Sequence, residues 1–369
     1  MRICYLSNSA IPSSVASAIQ IVKMCEAFSQ LNNKVTLITT NVLKTKISLN
    51  EYYNIKYKFS FVRMKKFKAF PLGMKYYLFS IFSIIESLKY KPEIYITRNF
   101  FTCFLLVLLR KKIIMELHHD LDTESRIIKF LMKKFKFLNS KHLKKIIAIT
   151  RGVKDEYVKK KLINEKKIIV LPSGSSIKRI FKFSNKKKFF KIGYFGSLYK
   201  SRGIDLIRNL AKIDNENQYY LYGDFNKLNN FKFKNSTTNL HLQDYIPYKD
   251  IPDSLAEMDI LLMPYISSIT VAGDVGDITK FTSPLKLFDY LSMGKIIICS
   301  DIQVLKEVIK DKENAIFVKN YKNIFAWKTK IHKLKNQPQK QFIMSKNNYQ
   351  LSLKYSLKER AKKILEVVG

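Results

Sequence analysis

The segment TSPLKLFDYLSMG, residues 282–294, combines residue types that suit a nucleotide diphosphate. Ser283 is a good N-cap and Pro284 suits the first helical position, so we expect a helix to start here. The free N–H groups and positive dipole end of such a helix favour a phosphate. Lys286 and Asp289 share one helix face, where lysine would hold phosphate and aspartate two ribose hydroxyls. The alternative is a surface Lys–Asp pair on an ordinary capped helix.

A second candidate for phosphate binding is GYFGSLYKSRGID, residues 193–205. An expected strand ends in glycine here, and the loop after it offers Lys200 and Arg202 before a helix. Ligands bind at the carboxyl ends of strands in open α/β sheets, and glycine allows close backbone approach. The alternative is a polar loop with two solvated bases. The segment is not a G-x-G-x-x-G fingerprint, and the chain has no Walker A sequence.

These segments belong to two successive series of short apolar runs that alternate with helical patterns. The first series has strands expected at residues 2–7, 34–39, 93–97, 113–117, 146–149 and 168–171, with a helix at 17–31. The second series has strands expected at residues 192–195, 218–222, 240–242, 260–263 and 296–299. Strands separated by longer helical segments predict parallel sheets built from βαβ units.

The restart of the pattern predicts two open α/β domains with a cleft between them. A length of 369 residues also exceeds one ordinary domain. The turn-rich stretch PSGSS, residues 172–176, places the boundary. We expect a first domain over residues 1–175, a second over residues 176–354, and a capped amphipathic helix within residues 355–369.

The charge of the chain is unusual, because 67 basic residues against 29 acidic ones give a net charge of +38. Only ten of the basic residues are arginine, the residue favoured for bidentate phosphate and base recognition, which argues against a specific nucleic-acid reader. The lysines fit either a solvated surface or attraction to an anionic membrane. Residues 63–77 and 130–138 mix bases with aromatics and fit membrane docking. The alternative there is core aromatics with lysines on the outer face.

Compartment signals predict a cytoplasmic protein, peripheral on the inner face of the membrane. The start, MRICYLSNSAIP, shows no signal-peptide pattern. The longest apolar runs, residues 77–85 and 100–109, are about half of the roughly twenty residues that span a bilayer. The cysteines lie in apolar surroundings without C-x-x-C spacing, which indicates buried thiols rather than disulfides or a zinc site. They are Cys4, Cys25, Cys103 and Cys299.

Six motifs, in order along the chain, resemble the GT-B glycosyltransferases, particularly family 4 of the "glycosyl transferases group 1" type. They are MRICYLSNSAIPSSVASAIQIVKMCEAFSQLNNKVTLIT, IIAITRGVKDEY with IIVLPSGSS, IGYFGSLYKSRGIDLI, YYLYGD with SLAEMDILLMPY, SPLKLFDYLSMGKIIICSD, and YSLKERAKKILEVV. The resemblance implies two Rossmann-like domains facing each other across a cleft, acceptor-binding first and nucleotide-binding second, with the final helix packing back on the first. It also implies retaining transfer from a UDP- or GDP-linked sugar without a metal or other cofactor.

The resemblance implies roles on the donor side. Asp289 would hold the ribose, and Lys200, Arg202 and Lys286 would grip the diphosphate. The other residues implied are Gly196, Ser197, Thr282, Ser283 and Pro284 near the phosphates, Tyr245 and Ile246 by the nucleobase, and Pro264 and Tyr265 along the cleft. Ser197 stands where the family usually has arginine, which shifts phosphate binding to Lys200 and Arg202.

Two departures from the family pattern concern the sugar more than the fold. The family usually has an acidic residue eight positions before the acid that stands here as Asp289. That position is Phe281 in this chain, and Asp274 and Asp277 are candidates to replace the missing acid. The N-terminal loop has Ser13 and Ser14 in place of a glycine pair.

Two residues of the first half are further candidates. His118, in MELHHD, matches the family's strand-end histidine facing the donor sugar, where it can hydrogen-bond a hydroxyl and stabilise charge. A lone histidine is more often structural. Arg98, after the expected strand EIYIT, would touch acceptor or phosphate, the alternative being a surface cation.

We therefore expect a glycosyltransferase of bacterial envelope glycan synthesis, acting on a lipid-linked or polysaccharide acceptor. No H-E-x-x-H or Asp-x-Asp pattern indicates a metal, so helix dipole, lysine and arginine would stabilise the leaving diphosphate. The acceptor hydroxyl would attack the same face of the sugar, and the leaving phosphate would take its proton. The alternatives are a basic two-domain protein that binds nucleic acid or membrane, and a GT-B sugar-nucleotide epimerase.

Overall fold

The computed structural model describes residues 1–40, 48–64, 70–177, 181, 183, 189–225, 237–266, 277 and 279–368. The chain divides into two compact units. Unit 1 comprises Met1–Ser173 and Leu357–Gly369, and unit 2 comprises Gly174–Ser356. The boundary predicted after residue 175 lies two residues further along the chain than the observed one.

Unit 1 is built on one parallel sheet. Its strands are β1 (Arg2–Ala10), β2 (Lys34–Thr40), β3 (Ser60–Met64), β4 (Ile94–Thr97), β5 (Ile113–Leu117), β6 (Leu143–Ala148) and β7 (Ile168–Val170). Its first helices are α1 (Ala16–Gln30), α2 (Leu49–Tyr53), α3 (Leu72–Ser87), α4 (Phe100–Leu108), α5 (Arg126–Phe135) and α6 (Arg151–Lys159). The strand order is β3-β2-β1-β4-β5-β6-β7.

The central strands of unit 1 are apolar on both faces because helices cover both faces of a parallel sheet. Every residue of β4 and β5 is buried, and Ile96 pairs in register with Ile114. β3 is the partly exposed edge strand, and it was not predicted.

Unit 2 repeats this plan. Its strands are β8 (Lys191–Phe195), β9 (Gln218–Tyr222), β10 (Leu240–Gln243), β11 (Ile260–Met263), β12 (Ile296–Ser300) and β13 (Ala315–Val318). Its helices are α7 (Ile204–Ile213), α8 (Ile251–Glu257), α9 (Leu285–Ser292), α10 (Gln303–Lys306), α11 (Ile324–Lys335) and α12 (Pro338–Lys354). All strand pairs are parallel, in the order β10-β9-β8-β11-β12-β13.

The last helix, α13 (Leu357–Glu366), belongs to unit 1. Its buried residues Leu357, Ala361 and Ile364 join the core that α1 forms with the sheet. No helix in the described part of the chain is long and apolar enough to cross a membrane.

The two parallel sheets confirm the predicted α/β class. In each sheet the strand order reverses once beside the first strand, between β1 and β4 and between β8 and β11. At such a reversal the loops leave in opposite directions, which opens a crevice at the carboxyl ends of the strands.

Candidate functional site

The loop after β8 lets an ammonium group lie against the backbone. Gly196 has a φ of +140°, and its amide donates to the Tyr222 carbonyl at 3.1 Å. A β-carbon there would stand 2.8 Å from Lys286 Nζ, so glycine leaves room for the ammonium. Nζ lies 3.8 Å from the centre of the Tyr194 ring, a cation–π distance. The Tyr194 hydroxyl donates to the Ser197 carbonyl at 2.7 Å, which ties the loop to the same ring.

Lys286 is the second residue of α9, whose start differs from the prediction. Pro284, with φ of −69° and ψ of 119°, occupies the N-cap position, and the helix begins at Leu285. The prediction that Ser283 is the N-cap and Pro284 the first helical residue is therefore wrong. The fixed φ of proline suits both extended and helical backbone, so the sequence did not determine on which side of it the helix begins. No side chain in the described structure caps this turn, whose N–H groups and dipole favour an anion.

The ammonium of Lys286 lies in cationic surroundings. Burial lowers its pKa well below the usual value, and the positive charge of Arg202 lowers that pKa further. Within the described residues no carboxylate forms an ion pair with Lys286. A bound diphosphate would oppose both effects by supplying negative charge at the ammonium.

Arg202 is held by close packing of the loops that follow β8 and β11. Residues Lys200–Arg202 form a 3₁₀ turn, and Gly203 after it has a φ of +73°. A β-carbon on Gly203 would stand only 2.0 Å from the Pro264 carbonyl oxygen, so the two loops touch at this glycine. Arg202 Cζ lies 5.3 Å from the centre of the Tyr265 ring. Lys200 is exposed on the same turn.

Asp289 lies one turn beyond Lys286 and is 8% exposed. It accepts a hydrogen bond from the Ser175 hydroxyl at 2.5 Å, and the Ser292 hydroxyl donates to that of Ser175 at 3.4 Å. Burial raises the pKa of Asp289 to about 7, and the bond from Ser175 works against this shift. No ion pair joins Asp289 to Lys286 in the part of the chain described. The alternative of a surface Lys–Asp pair on an ordinary capped helix is therefore wrong.

The other donor-side residues follow strand ends of unit 2. Ser197 and Tyr245 are exposed, and Ile246 packs against the core beneath β11 and β12. Pro264 and Tyr265 follow β11, with Tyr265 buried. Thr282, Ser283 and Pro284 are partly buried just before α9. Gly196 and Arg202 on one side, and Pro264 and Tyr265 on the other, flank the crevice between β8 and β11.

The structure describes one of the two acids proposed to replace the missing one. Asp274 lies outside the described residues. Asp277 is exposed and accepts from the amide and hydroxyl of Thr279, at 2.8 and 2.5 Å. Its observed contacts are therefore local to its own loop.

In unit 1 the candidate residues follow the ends of β1, β4 and β5. The Ser13 amide donates to the Tyr53 hydroxyl at 2.7 Å, and that hydroxyl donates to the Ser13 carbonyl at 2.7 Å. Ser14 is partly buried. Arg98 Nε donates to Glu116 Oε2 at 3.0 Å, and the arginine side chain is 14% exposed. The alternative of a surface cation at Arg98 is therefore wrong.

His118 lies in the same buried surroundings. Its Nε2 stands 3.7 Å from Glu116 Oε2, too far for a hydrogen bond. Burial lowers the pKa of His118 to about 3, with a further lowering by the charge of Arg98. The imidazole is therefore neutral at physiological pH.

Sequence reasoning missed several partners of these residues. Tyr194 beneath Lys286, Ser175 against Asp289, and Arg360, whose Nη1 donates to Glu116 Oε1 at 2.6 Å, were not predicted to act at either site. Only Arg360 carried a usable signal, because it is a rare arginine on the apolar face of α13, beside Ala361.

Comparison with protein families gives one match. Residues 175–351, which cover most of unit 2 and all its candidate residues, match the family model "Glycosyl transferases group 1". No curated protein sequence matches the chain.

Solved structures resemble the chain over its whole length. The UDP complex of Alr3699/HepE from Anabaena is 14% identical with a TM-score of 0.72, covering 100% of this chain and 99% of that one. The lipopolysaccharide outer core galactosyltransferase WaaB, apo form, is 14% identical with a TM-score of 0.65, covering 100% and 99%. A putative UDP-N-acetylglucosamine 2-epimerase from Listeria monocytogenes is 12% identical with a TM-score of 0.61, covering 100% and 95%. At these identities the likeness establishes the fold, which is that of GT-B glycosyltransferase structures.

Proposed function

We propose that this chain is a glycosyltransferase, which moves a sugar from a nucleotide diphosphate to an acceptor hydroxyl, and that residues 175–351, which match the family model "Glycosyl transferases group 1", bind the donor. The observation that carries the proposal is the position of Lys286. Its ammonium lies over Tyr194 and against Gly196, on the first turn of a helix without a side-chain cap, and near the charge of Arg202. Cations and helix dipole together suit a diphosphate.

The proposed donor is a UDP-linked sugar, with a GDP-linked sugar as the alternative. The HepE structure that resembles this chain contains UDP, which supports testing uridine nucleotides first. Lys286, Arg202 and Lys200 would contact the diphosphate. Asp289 would accept hydrogen bonds from the ribose hydroxyls, and Tyr245 with Ile246 would lie against the base.

The proposed reaction retains the configuration of the sugar. The bond between the anomeric carbon and the diphosphate oxygen breaks, the acceptor oxygen bonds to the same face, and its proton passes to the leaving phosphate oxygen. Positive charge at Lys286 and Arg202 stabilises the diphosphate as its negative charge grows. Neutral His118 would hydrogen-bond a hydroxyl of the donor sugar. No protein nucleophile or metal takes part in this proposal, so turnover should survive a chelator.

A thermal-shift screen against UDP, GDP, ADP and their sugar conjugates tests the donor. A ligand that binds only the native state raises the melting temperature. We expect UDP or a UDP-sugar to raise the melting temperature most, and no shift with any nucleotide would contradict the proposal.

Turnover of variants tests the residues. Lys286→Ala and Arg202→Ala should each lower turnover about 100-fold with little loss of folding. Lys212→Ala, an exposed lysine on α7, is the matched control and should leave turnover unchanged. Unchanged turnover in both Lys286→Ala and Arg202→Ala would refute the assignment. Conversion of the donor sugar without an acceptor would instead identify an epimerase. DNA binding that falls steeply with salt, without any turnover of nucleotide-sugar, would identify a nucleic-acid-binding protein.

We also propose that unit 1 docks on an anionic membrane, which suits a lipid-linked acceptor of envelope glycan synthesis. Helices α3 and α5 both contact α4, through Tyr77 against Phe101 and Phe135 against Phe104. The exposed apolar residues on α3 and α5 are Met74, Ile81, Phe82, Ile85, Ile127, Phe130 and Phe135. Exposed Arg126, Lys133 and Lys134 accompany them on α5. Apolar side chains bordered by bases fit an anionic lipid surface.

Co-sedimentation with phosphatidylglycerol vesicles tests this surface. We expect binding that falls as salt rises, and that weakens in Phe130→Ser. Phe325→Ser, on α11 of unit 2, removes an equally exposed phenylalanine and should bind like the wild type. No binding at low salt would remove the docking proposal.

A further inference from the structure

Unit 1 contains a buried charge cluster whose carboxylate and guanidiniums have no role in the proposed transfer. Glu116, near the end of β5, is 1% exposed. Its Oε1 accepts from Arg360 Nη1 at 2.6 Å, and its Oε2 accepts from Arg98 Nε at 3.0 Å and from the Tyr5 hydroxyl at 2.7 Å. Burial alone would raise the pKa of Glu116, but the guanidiniums of Arg360 and Arg98 hold it well below its usual range. Two cations therefore share one carboxylate.

The charges of this cluster do not cancel. With His118 neutral, two guanidiniums against one carboxylate leave a net charge of +1 in a buried place, which is costly without a counterion. Arg360 is also held by main-chain carbonyls, since its Nε donates to Pro172 O at 2.9 Å and its Nη2 to Leu171 O at 3.4 Å. Neutral carbonyl oxygens therefore stabilise the positive charge of Arg360.

On the side of Arg98 the neutral support is the Tyr5 hydroxyl, which accepts from Arg98 Nε at 2.9 Å. Arg98 Nη2 and His118 Nε2 are both buried, and neither has a hydrogen-bond partner among the described residues. Buried polar groups are nearly always satisfied, so the cluster is not a finished structural network. The donor sugar accounts for His118 Nε2 in the proposed function, and Arg98 Nη2 indicates a second ligand. Other atoms of the Arg98 and His118 side chains keep 14% and 19% exposure, so the cluster lies just beneath the surface.

The position of these two residues suits a ligand. Arg98 directly follows β4 and His118 directly follows β5, and these strands are parallel neighbours. Both residues therefore lie at the carboxyl edge of the sheet, and Arg98 is at the crevice where the strand order reverses between β1 and β4. The diphosphate of the donor already has its own cations in unit 2, so the anion for unit 1 would come from the other substrate.

We propose that Arg98, next to His118, binds an oxyanion, a phosphate or carboxylate group, of the acceptor, and that Glu116 and Arg360 are its positioning residues. Glu116 fixes the Nε edge of Arg98 and turns its Nη2 toward the ligand. Arg360 neutralises Glu116 and so leaves the charge of Arg98 available. The identity of the ligand as an acceptor rests on the proposed function, whereas anion binding at this cluster does not.

NMR spectra of the imidazole nitrogens, recorded on full-length protein labelled with ¹⁵N-histidine, test the proposal. Inorganic phosphate and acetate are titrated into the Lys286→Gln/Arg202→Gln variant, in which the site of unit 2 is disabled. We expect a saturable shift of the His118 Nε2 signal with at least one of the two anions. The anion that binds more tightly shows whether the site prefers a phosphate or a carboxylate group. Arg98→Gln in the same background should abolish the shift. Arg360→Gln should weaken it about ten-fold or more, since it removes one nearby charge.

Controls separate the outcomes. Arg110→Gln removes an exposed arginine between α4 and β5, at the opposite edge of the sheet, and should leave the His118 titration unchanged. Arg98→Gln leaves Glu116 paired one to one with Arg360, so it should fold even if Arg360→Gln does not. Absence of any saturable shift, or a shift that persists in Arg98→Gln, overturns the inference. A thermal shift of the wild type with UDP-glucose, measured in parallel, reports on the proposed function separately.

Discussion

The Ser175 hydroxyl donates to Asp289 Oδ1 at 2.5 Å, although 114 residues separate the two in sequence. Ser175 is held in turn by its amide, which donates to the Tyr355 carbonyl at 3.1 Å. The bond from Ser175 stabilises the carboxylate, whereas burial disfavours it, and the pKa of Asp289 settles at about 7. Asp289 therefore changes charge within the neutral range.

Replacing Asp289 by asparagine should change how stability depends on pH. The folded pKa of about 7 lies above the ordinary value of 3.8, so the stability that the protonated acid contributes is present below about pH 4 and is lost as pH rises through about 7. Relative to Asp289→Asn, the wild type should lose up to about 1.4 kcal/mol per pH unit in this window. Urea unfolding of both proteins across the window measures the difference, and a difference independent of pH would contradict the shifted pKa.

Binding of a nucleotide-sugar should release a proton from Asp289. Ribose hydroxyls that donate to the carboxylate favour its charged form and so lower its pKa. The affinity for UDP-glucose, whose diphosphate does not titrate near neutrality, should therefore rise with pH and level off above about 7. Calorimetry in buffers of different ionisation enthalpy measures the proton.

Two variants control for other groups that titrate on binding, Lys286 above all. In Asp289→Asn the released proton should disappear. In Ser175→Ala the pKa of Asp289 should rise further, so the increase in affinity should move to higher pH. Equal proton release in the wild type and Asp289→Asn would show that the carboxylate does not meet the ligand.

The central strands were predictable because they are buried on both faces and read as continuous apolar runs. β5, β9 and β11 have the bounds predicted for them. The two strands that were missed, β3 and β13, are both at sheet edges. The sequence SFVRM of β3 alternates only weakly and leads into a basic stretch, and the four residues of β13 stand between charged segments.

The side chains of the candidate site were predictable only where one segment carries them. Lys286 and Asp289 were found because helical spacing puts them on one face. Ser175, Tyr194 and Arg360 act on their partners through contacts made by folding, between residues far apart in sequence, which no local pattern encodes. The ligand contacts of Lys200, Arg202 and Tyr245 stay predictions.

Tyr194 should matter through its ring more than through its hydroxyl. The ring lies 3.8 Å from Lys286 Nζ, and a cation over an aromatic face gains about 2 kcal/mol when desolvated. Tyr194→Leu should therefore weaken UDP-glucose binding about ten-fold, because Lys286 loses its position. Tyr194→Phe keeps the ring and loses only the bond to the Ser197 carbonyl, so its affinity should stay within about three-fold of the wild type.

Calorimetric affinities of the two variants decide this. Equal losses in Tyr194→Phe and Tyr194→Leu would assign the effect to the hydroxyl and the loop at Ser197 instead of the ring. Equal melting temperatures of the two variants would show that the difference arises at the site and not from folding.

Gly203 should be the least replaceable glycine of the site, since it needs both a left-handed backbone and close approach. Its φ is +73°, and a β-carbon would stand 2.0 Å from the Pro264 carbonyl oxygen. An L-residue in this conformation costs about 1–2 kcal/mol before any clash, and the backbone at Pro264 would have to move as well. Gly203→Ala should therefore destabilise unit 2 by about 2 kcal/mol or more, and displace Arg202 so that UDP-glucose affinity falls.

Gly73 in α3 provides the matched substitution, because a β-carbon there would meet nothing within 4 Å. Gly73→Ala should leave donor affinity unchanged and stabilise the protein by up to about 1 kcal/mol, since alanine favours the helix. Denaturant unfolding and UDP-glucose titration of both variants make the comparison. If the two alanine variants are equally stable and bind equally well, the loops after β8 and β11 do not pack at Gly203, and the position given to Arg202 is wrong.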